Sequence, residues 1–209
     1  MHKPWDHQID LKTDFQPKKD QLIPLFIDEQ QEIEVFLDDQ LTKRYIRPLI
    51  SPQTSPMFFV PKKDGKKCMV QDYCYVNKFT IKNNYPLPLI PQLVDKLKGC
   101  KLFMKMDLHW GYNNIQVKEG DEWKAAFVTH KGAFEPLVMY FSLCNSPATF
   151  QKMMNKIFHN MSVVCMVYID DLMIFMKMDN QKEHNKIVLE VLQQLEANNL
   201  FVKPEKCHF

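Results

Sequence analysis

A pair of adjacent aspartates inside an otherwise apolar run is the feature that most constrains what this chain can fold into. Asp170 and Asp171 follow Met-Val-Tyr-Ile and precede Leu-Met-Ile-Phe. Two ionised carboxylates that are partly removed from water lose hydration and repel each other, which favours neutralisation by divalent cations. A tight turn between two buried strands is the alternative, because aspartate is common in turns for backbone reasons. The run by itself leaves both interpretations open.

Length, charge and cysteine usage set broad limits on function. A chain of 209 residues with 45% hydrophobic residues can bury one sizeable core or two small ones. The net charge of +2 does not demand a polyanionic partner, although lysine and arginine occur in several short clusters. The six cysteines form no C-x-x-C pair and the histidines have no zinc spacing, so we expect reduced thiols in an intracellular protein. No signal peptide or membrane span is visible, and cytoplasm and nucleus both stay open.

Hydrophobic periodicity predicts an N-terminal arm with an amphipathic helix over residues 1–43, followed by a folded domain over 44–209. Within that domain Asp64-Gly65 marks a hairpin whose loop is rich in lysine. The further predicted elements are a helix over 91–98, a strand over 102–107, antiparallel strands within 115–140, a helix after Ser146-Pro147, strands over 163–168 and 172–177, and a helix over 181–197. This order predicts an α+β fold, with an antiparallel sheet and helices packed on one face.

Three carboxylates are candidates for one metal site. Asp107 ends a predicted strand, and Asp170 and Asp171 lie in a predicted hairpin turn about sixty residues later. Adjacent strands could bring them together, and carboxylates without zinc-type ligands select Mg²⁺. Two such ions could clamp the attacking and leaving oxygens of a phosphoryl transfer. The lysines of the 62–67 loop could face the phosphates of the substrate, although a lysine-rich hairpin tip is more often simply exposed to solvent.

Seven motifs together point to a family. In chain order they are SPMFFVPKKDG (55–65), VQDY (70–73), TIKNNYPLPLI (80–90), KMDLHWGYNN (105–114), NSPATFQ (145–151), YIDD (168–171) and KPEKC (203–207). The series closely resembles the reverse transcriptase of gypsy-like long-terminal-repeat retrotransposons, and it covers nearly the whole chain. The resemblance implies a right-hand polymerase fold, with fingers at about 44–100 and part of 115–145, palm at about 101–114 and 146–209, and the thumb largely absent.

The resemblance also implies a set of site residues. Asp107, Asp170 and Asp171 match the catalytic metal-binding triad, and Leu108 matches the position whose backbone carbonyl contacts a metal. Tyr112 matches the aromatic residue that stacks under the incoming sugar and excludes a 2′-hydroxyl. The remaining expected nucleotide-binding residues are Lys62 or Lys63 at the triphosphate, Phe141 near the 3′ side of the sugar, and Lys206 beside the leaving pyrophosphate.

The family implies cofactors and partners as well. Two Mg²⁺ ions are expected, with Mn²⁺ as a possible substitute. The expected partners are an RNA or DNA template with its primer and deoxynucleoside triphosphates. The protease, ribonuclease H and integrase of such polyproteins are absent from this chain, so we expect it to act as part of a polyprotein and without a membrane.

Several residues depart from the family pattern. Cys68, Cys74 and His109 stand where arginine is usual, and Ser142 replaces a glycine, which would strain the turn if a positive φ is required there. A thiol cannot replace the paired donors of a guanidinium group at a triphosphate. These departures predict a decayed copy, and the largely absent thumb predicts a truncated one. A catalytically inactive relic that at most binds nucleic acid is therefore the alternative to an active polymerase, and an RNA-binding platform is a third, weaker one.

Overall fold

The computed structural model describes residues 3–61, 65 and 67–208. The helices in chain order are α1 (Ile27–Thr42), α2 (Cys74–Phe79), α3 (Ile90–Leu97), α4 (Ser146–Ile157) and α5 (Gln181–Ala197). The strands are β1 (Ile46–Pro48), β2 (Ser55–Pro61), β3 (Lys67–Gln71), β4 (Leu102–His109), β5 (Phe127–Thr129), β6 (Gly132–Pro136), β7 (Cys165–Tyr168), β8 (Asp171–Met176) and β9 (Phe201–Val202). This mixture of sheets and helices confirms the predicted α+β class.

The chain forms two compact units. The first contains the residues up to Lys82 together with Ile115–Ser146, and the second contains Asn83–Asn114 together with the chain from Pro147 onwards. The predicted boundaries differ from these units, because residues 83–100 were assigned to the fingers. Hydrogen bonds tie that segment to the second unit: the Asn155 side chain donates to the Tyr85 hydroxyl (2.8 Å), and Lys96 Nζ donates to the Ser162 carbonyl (3.4 Å).

The first unit is built on a five-stranded sheet in the order β1-β6-β5-β2-β3. All pairs are antiparallel except β2 with β5. Helix α1 buries Ile33 and Leu37 in a core cluster that includes Phe127 and Phe134. The N-terminal arm is bound to the same unit by single bridges, such as Leu11 with Thr80. The arm is therefore part of this unit.

Two stretches of the first unit differ from the predicted elements. Helix α2 was not predicted, because Cys-Tyr-Val-Asn-Lys-Phe contains mostly residues of weak helix propensity. The helix forms because it buries Val76 in a second cluster with Tyr73 and Tyr140, and because the Asp72 carboxylate accepts from the first amide of the helix. Residues 115–117 and 137–140 form no strand, although one isolated bridge, between Gln116 and Val138, joins these segments.

The second unit contains a four-stranded antiparallel sheet in the order β7-β8-β4-β9. Alternate residues of β4 are buried, as are the last three positions of β8. Helices α4 and α5 contribute apolar residues that are almost fully removed from solvent, among them Phe150, Met154, Val191 and Leu195. Within the described ranges, no helix combines the length and the apolar character that crossing a bilayer would require.

Candidate active site

The alternation of β4 places Asp107 on the open face of the second sheet. Met104, Met106 and Leu108 are 6%, 1% and 3% exposed, so the odd-numbered residues between them project to the opposite side. The Asp107 side chain is 22% exposed. A carboxylate therefore projects from this strand into a partly solvated space.

A two-residue turn between β7 and β8 brings the other two aspartates beside Asp107. Tyr168 pairs with Asp171 across the hairpin, and Asp171 in turn lies directly opposite Asp107 on β4. The turn residue Ile169 has a φ of +56°, a conformation that strains a β-branched side chain. The Leu108 amide donates to the Asp170 carbonyl (3.3 Å), which ties the turn to β4.

Asp170 is the most desolvated member of the triad. Its Oδ1 atom is buried and has no hydrogen-bond partner among the described residues. Burial raises the pKa of Asp170 to about 6, the negative charges of Asp107 and Asp171 add to the rise, and Lys203 and Lys206 oppose it. The environment therefore disfavours an ionised Asp170 unless additional positive charge is supplied.

Lysine ammonium groups face the other two carboxylates. Lys105 Nζ lies 3.0 Å from Asp171 Oδ1. Lys206 Nζ and Lys203 Nζ lie 3.5 Å and 3.8 Å from the two oxygens of Asp107. The predicted Lys206 is thus close to the triad, whereas Lys105 and Lys203 were not predicted.

The donor set fits a hard divalent cation. In residues 3–61, 65 and 67–208 no three His, Cys, Asp or Glu side chains are placed closely enough to hold a metal ion. The three carboxylates nevertheless supply the oxygen ligands that Mg²⁺ and Mn²⁺ prefer, and the buried Asp170 Oδ1 lacks any donor among the described residues. Metal binding would require Asp107 and Asp171 to exchange their lysine contacts for metal contacts.

Tyr112 stands on a rigid base beside the triad. It lies in a 3₁₀ turn over Gly111–Asn114 directly after β4, and its ring centroid is 5.2 Å from that of the fully buried Phe150. Burial, with a smaller contribution from the charge of Asp170, holds the pKa of Tyr112 above its ordinary value. A Cβ at Gly111 would lie 3.0 Å from the Phe150 ring and 3.4 Å from Asp170 Oδ1, so glycine permits this close packing.

Gln151 connects α4 to the hairpin and was missed by the sequence interpretation. Its Nε2 donates to the Val167 carbonyl (3.0 Å), and its Oε1 accepts from the Ile169 amide (3.0 Å). The residue is 0% exposed. The sequence signal for this role is a polar residue on the apolar face of a predicted helix, because a buried side-chain amide requires hydrogen-bond partners.

Three predicted nucleotide-binding residues lie either outside the described residues or outside the unit that contains the triad. Lys62 and Lys63 lie outside the described residues, as does most of the lysine-rich loop. Lys67 is described, and it pairs with Asp28 (2.9 Å) and Glu29 (3.0 Å). Phe141 belongs to the first unit and is 49% exposed.

The departures from the family pattern have ordinary surroundings. Cys68 is half-buried in β3 opposite Val60. Cys74 is exposed at the start of α2, where the neighbouring Asp72 carboxylate raises the pKa of its thiol. His109 ends β4 and its ring centroid lies 5.9 Å from that of Trp110.

The positive φ on which strain at Ser142 depends does not occur in the structure. The described non-glycine residues with positive φ are Arg44, Trp110, Ile169 and Asn199. The Ser142 carbonyl accepts from the Asn77 side chain (2.9 Å), and the Leu143 amide donates to Tyr140 (3.3 Å). These contacts form the turn without a left-handed residue, so a glycine is not required at this position.

The sequence matches a known family over most of its length. Residues 60–209 match the family described as "Reverse transcriptase (RNA-dependent DNA polymerase)". The Tf2-3 and Tf2-4 transposon polyproteins of Schizosaccharomyces pombe are each 40% identical to this chain over 189 residues, which is 89% of the chain and 14% of each relative. The chain thus spans about a seventh of the length of these relatives.

Solved structures share the fold. A foamy viral protease-reverse transcriptase in complex with an RNA/DNA hybrid superposes with a TM-score of 0.87 at 22% identity, covering 98% of this chain and 27% of that chain. A second such structure, in complex with double-stranded DNA, gives a TM-score of 0.88 at 22% identity over 100% of this chain and 36% of that chain. The chain belongs to the reverse transcriptase family, the RNA-directed DNA polymerases, and to the kind found in gypsy-like long-terminal-repeat retrotransposon polyproteins.

Proposed function

We propose that this chain extends a primer on an RNA or DNA template with deoxynucleotides, by two-metal phosphoryl transfer. The observation that carries the proposal is that three carboxylates lie next to one another at one end of the sheet. Asp107 faces Asp171 across paired strands, and the adjacent Asp170 has a buried oxygen without a partner among the described residues. A group of this kind favours divalent cations over water.

The triad and the Leu108 carbonyl would hold the metal ions. Two Mg²⁺ ions, or Mn²⁺ in their place, would lower the pKa of the primer 3′-hydroxyl and neutralise charge on the leaving group. The 3′ oxygen forms a bond to the α-phosphorus, and the bond from that phosphorus to pyrophosphate breaks. Lys206, 3.5 Å from Asp107, is close enough to the triad to give a proton to the departing pyrophosphate.

Tyr112 would select the sugar. Its ring is supported by Phe150 and cannot move away from a bulkier nucleotide without disturbing a buried residue. A 2′-hydroxyl would therefore collide with the ring, which favours deoxynucleotides. Phe141 would contact the 3′ side of the sugar, and Lys62 or Lys63 would contact the triphosphate.

The proposed partners are a primer annealed to its template and the rest of a polyprotein. The solved relatives are bound to an RNA/DNA hybrid and to double-stranded DNA, which supports a nucleic-acid duplex as the partner of this chain. The relatives are about seven times longer than the matched region, which supports action within a larger polyprotein.

Primer extension with a matched pair of variants tests the proposal. The protein would receive an RNA template, an annealed DNA primer, deoxynucleotides and Mg²⁺ or Mn²⁺. We expect Asp170→Asn to lower incorporation by roughly a hundredfold or more, because it removes one charge at the reacting centre. Asp179→Asn, an exposed aspartate in the same unit, should retain activity. Equal rates for the two variants would contradict the assignment of the triad.

A decayed copy that binds nucleic acid without polymerising is the second candidate. The observation in its favour is the pair of thiols at Cys68 and Cys74, where the family pattern has arginines. Cys68→Arg is the informative variant, with Cys144→Arg as a control that adds the same charge at an exposed cysteine of the first unit. Activity that is absent in the natural sequence and restored only by Cys68→Arg would establish decay at the triphosphate site. Full activity of the natural sequence would eliminate this candidate.

A further inference from the structure

The position of Lys105 beside the triad follows from the register of the sheet. Lys105 and Asp107 are two residues apart on β4, so their side chains project from the same face. Asp107 lies opposite Asp171, which makes Lys105 the diagonal neighbour of Asp171 and within reach of a long side chain. The Lys105 amide and the His208 carbonyl form a hydrogen bond (2.9 Å), which fixes the backbone from which the side chain extends.

The contact between Lys105 and Asp171 is the shortest of the three lysine contacts to the triad. Its length is 3.0 Å, against 3.5 Å and 3.8 Å for the two lysines beside Asp107. The Lys105 and Asp171 side chains are 40% and 47% exposed, so the pair is solvated and contributes little to stability. An ion pair of this kind can open at small cost when a divalent cation arrives.

We propose that Lys105 is a positioning residue that holds Asp171 in the metal-free enzyme and competes with a divalent cation for the same carboxylate. The inference rests on the proposed function, because it takes the triad as the metal site. It accounts for the finding that the acidic groups of the described chain do not converge on one point. Lys105 partly neutralises the carboxylates until the metal binds, and its charge then opposes the metal.

Removal of the Lys105 charge should therefore tighten metal binding. Lys105→Met keeps much of the aliphatic side chain and removes one positive charge a few ångströms from the bound cation. Even in a largely aqueous environment, a unit charge at this separation from a dication changes affinity by roughly tenfold. Lys105→Gln is a second neutral variant, and Lys105→Arg keeps the charge.

Binding of Mn²⁺ to the full chain, followed by electron paramagnetic resonance of the free ion, measures this effect without an activity assay. We expect Lys105→Met and Lys105→Gln to lower the dissociation constant roughly tenfold. Lys105→Arg should leave it within about twofold of the natural value. Lys101→Met, which removes an exposed lysine four residues earlier, controls for net charge. Its dissociation constant for Mn²⁺ should likewise stay within about twofold of the natural value.

The Asp170→Asn variant separates failure of this inference from failure of the proposed function. Weaker Mn²⁺ binding in Asp170→Asn, with unchanged binding in both neutral Lys105 variants, would overturn the role of Lys105 and leave the metal site standing. Unchanged Mn²⁺ binding in Asp170→Asn would overturn the metal site and the role of Lys105 together. Circular dichroism of each variant verifies that the fold is retained.

Discussion

Gln151 joins helix α4 to the strained turn that carries Asp170. Its side-chain amide donates to Val167 and to Asn155 (2.9 Å), and its side-chain oxygen accepts from the Ile169 amide. The residue has 0% exposure, so water cannot readily replace these bonds. Gln151→Met preserves the volume and length of the side chain and removes all three hydrogen bonds.

The magnitude follows from the backbone groups that lose their partner. Val167 is 5% exposed, and a buried polar group left unsatisfied costs about 1–3 kcal/mol. Ile169 is only half-buried, so the cost of leaving its amide without an acceptor lies in the lower half of that range. We expect Gln151→Met to lower the free energy of unfolding by about 2–5 kcal/mol. The left-handed conformation of Ile169, which itself costs about 1–2 kcal/mol, loses a restraint, so the position of Asp170 should change as well.

Urea unfolding followed by circular dichroism gives the stability change. Gln193→Met provides the control, because Gln193 is exposed on α5 and a substitution there should shift stability by less than about 0.5 kcal/mol. Single-nucleotide incorporation below the unfolding transition should fall at least about tenfold in Gln151→Met. A destabilisation below about 1 kcal/mol together with unchanged incorporation would refute the argument that Gln151 fixes the turn.

Three further predictions concern packing, a buried charge and pH. Gly111→Ala should cost about 1–3 kcal/mol in urea unfolding, because its Cβ would lie 3.0 Å from the Phe150 ring. Arg47→Met should cost about 2 kcal/mol, because Arg47 donates to Glu135 (3.0 Å), a carboxylate of 1% exposure. In the pH dependence of unfolding, burial lowers the pKa of His7 from 6.5 to about 4, so the folded state keeps His7 neutral while the unfolded chain binds a proton. Stability should therefore fall by roughly 3 kcal/mol as the pH drops from about 6.5 to about 4, and His7→Asn should remove that contribution.

Each of these predictions has a clear contrary result. Unchanged stability of Gly111→Ala would show that the Phe150 ring moves freely. The double variant Arg47→Met, Glu135→Met should be less destabilised than Arg47→Met alone. If the stability changes of the two single variants simply add, Glu135 is not left as an uncompensated carboxylate in Arg47→Met. For His7, identical stability profiles of the natural protein and His7→Asn between pH 6.5 and 4 would show that the imidazole is not held neutral.

The hairpin and the long helices could be predicted because their signals are local. The period of the apolar residues predicts a helix over 181–197, which are the observed bounds of α5. The apolar runs on either side of Asp170 predict the strands β7 and β8. The alternation of β4 is equally visible in the sequence. In these elements the local pattern and the tertiary packing favour the same structure.

Other features depend on contacts between distant residues. Helix α2 forms because Val76 packs in a core cluster that includes the distant residue Leu143. This packing overrides the weak helix propensity of the segment. The approach of Lys105 to Asp171 requires the register of β4 against β8, and the sequence does not state that register. The backbone partners of Gln151 in the hairpin lie 16 and 18 residues away, beyond the reach of any local pattern.

Incorporation of a single deoxynucleotide on a primed RNA template tests the central claim most directly. The account predicts Mg²⁺- or Mn²⁺-dependent extension by the natural chain or by Cys68→Arg, loss of extension in Asp170→Asn, and little extension with ribonucleotides because of Tyr112. Extension that persists in Asp170→Asn would contradict the claim that Asp107, Asp170 and Asp171 form the catalytic metal site.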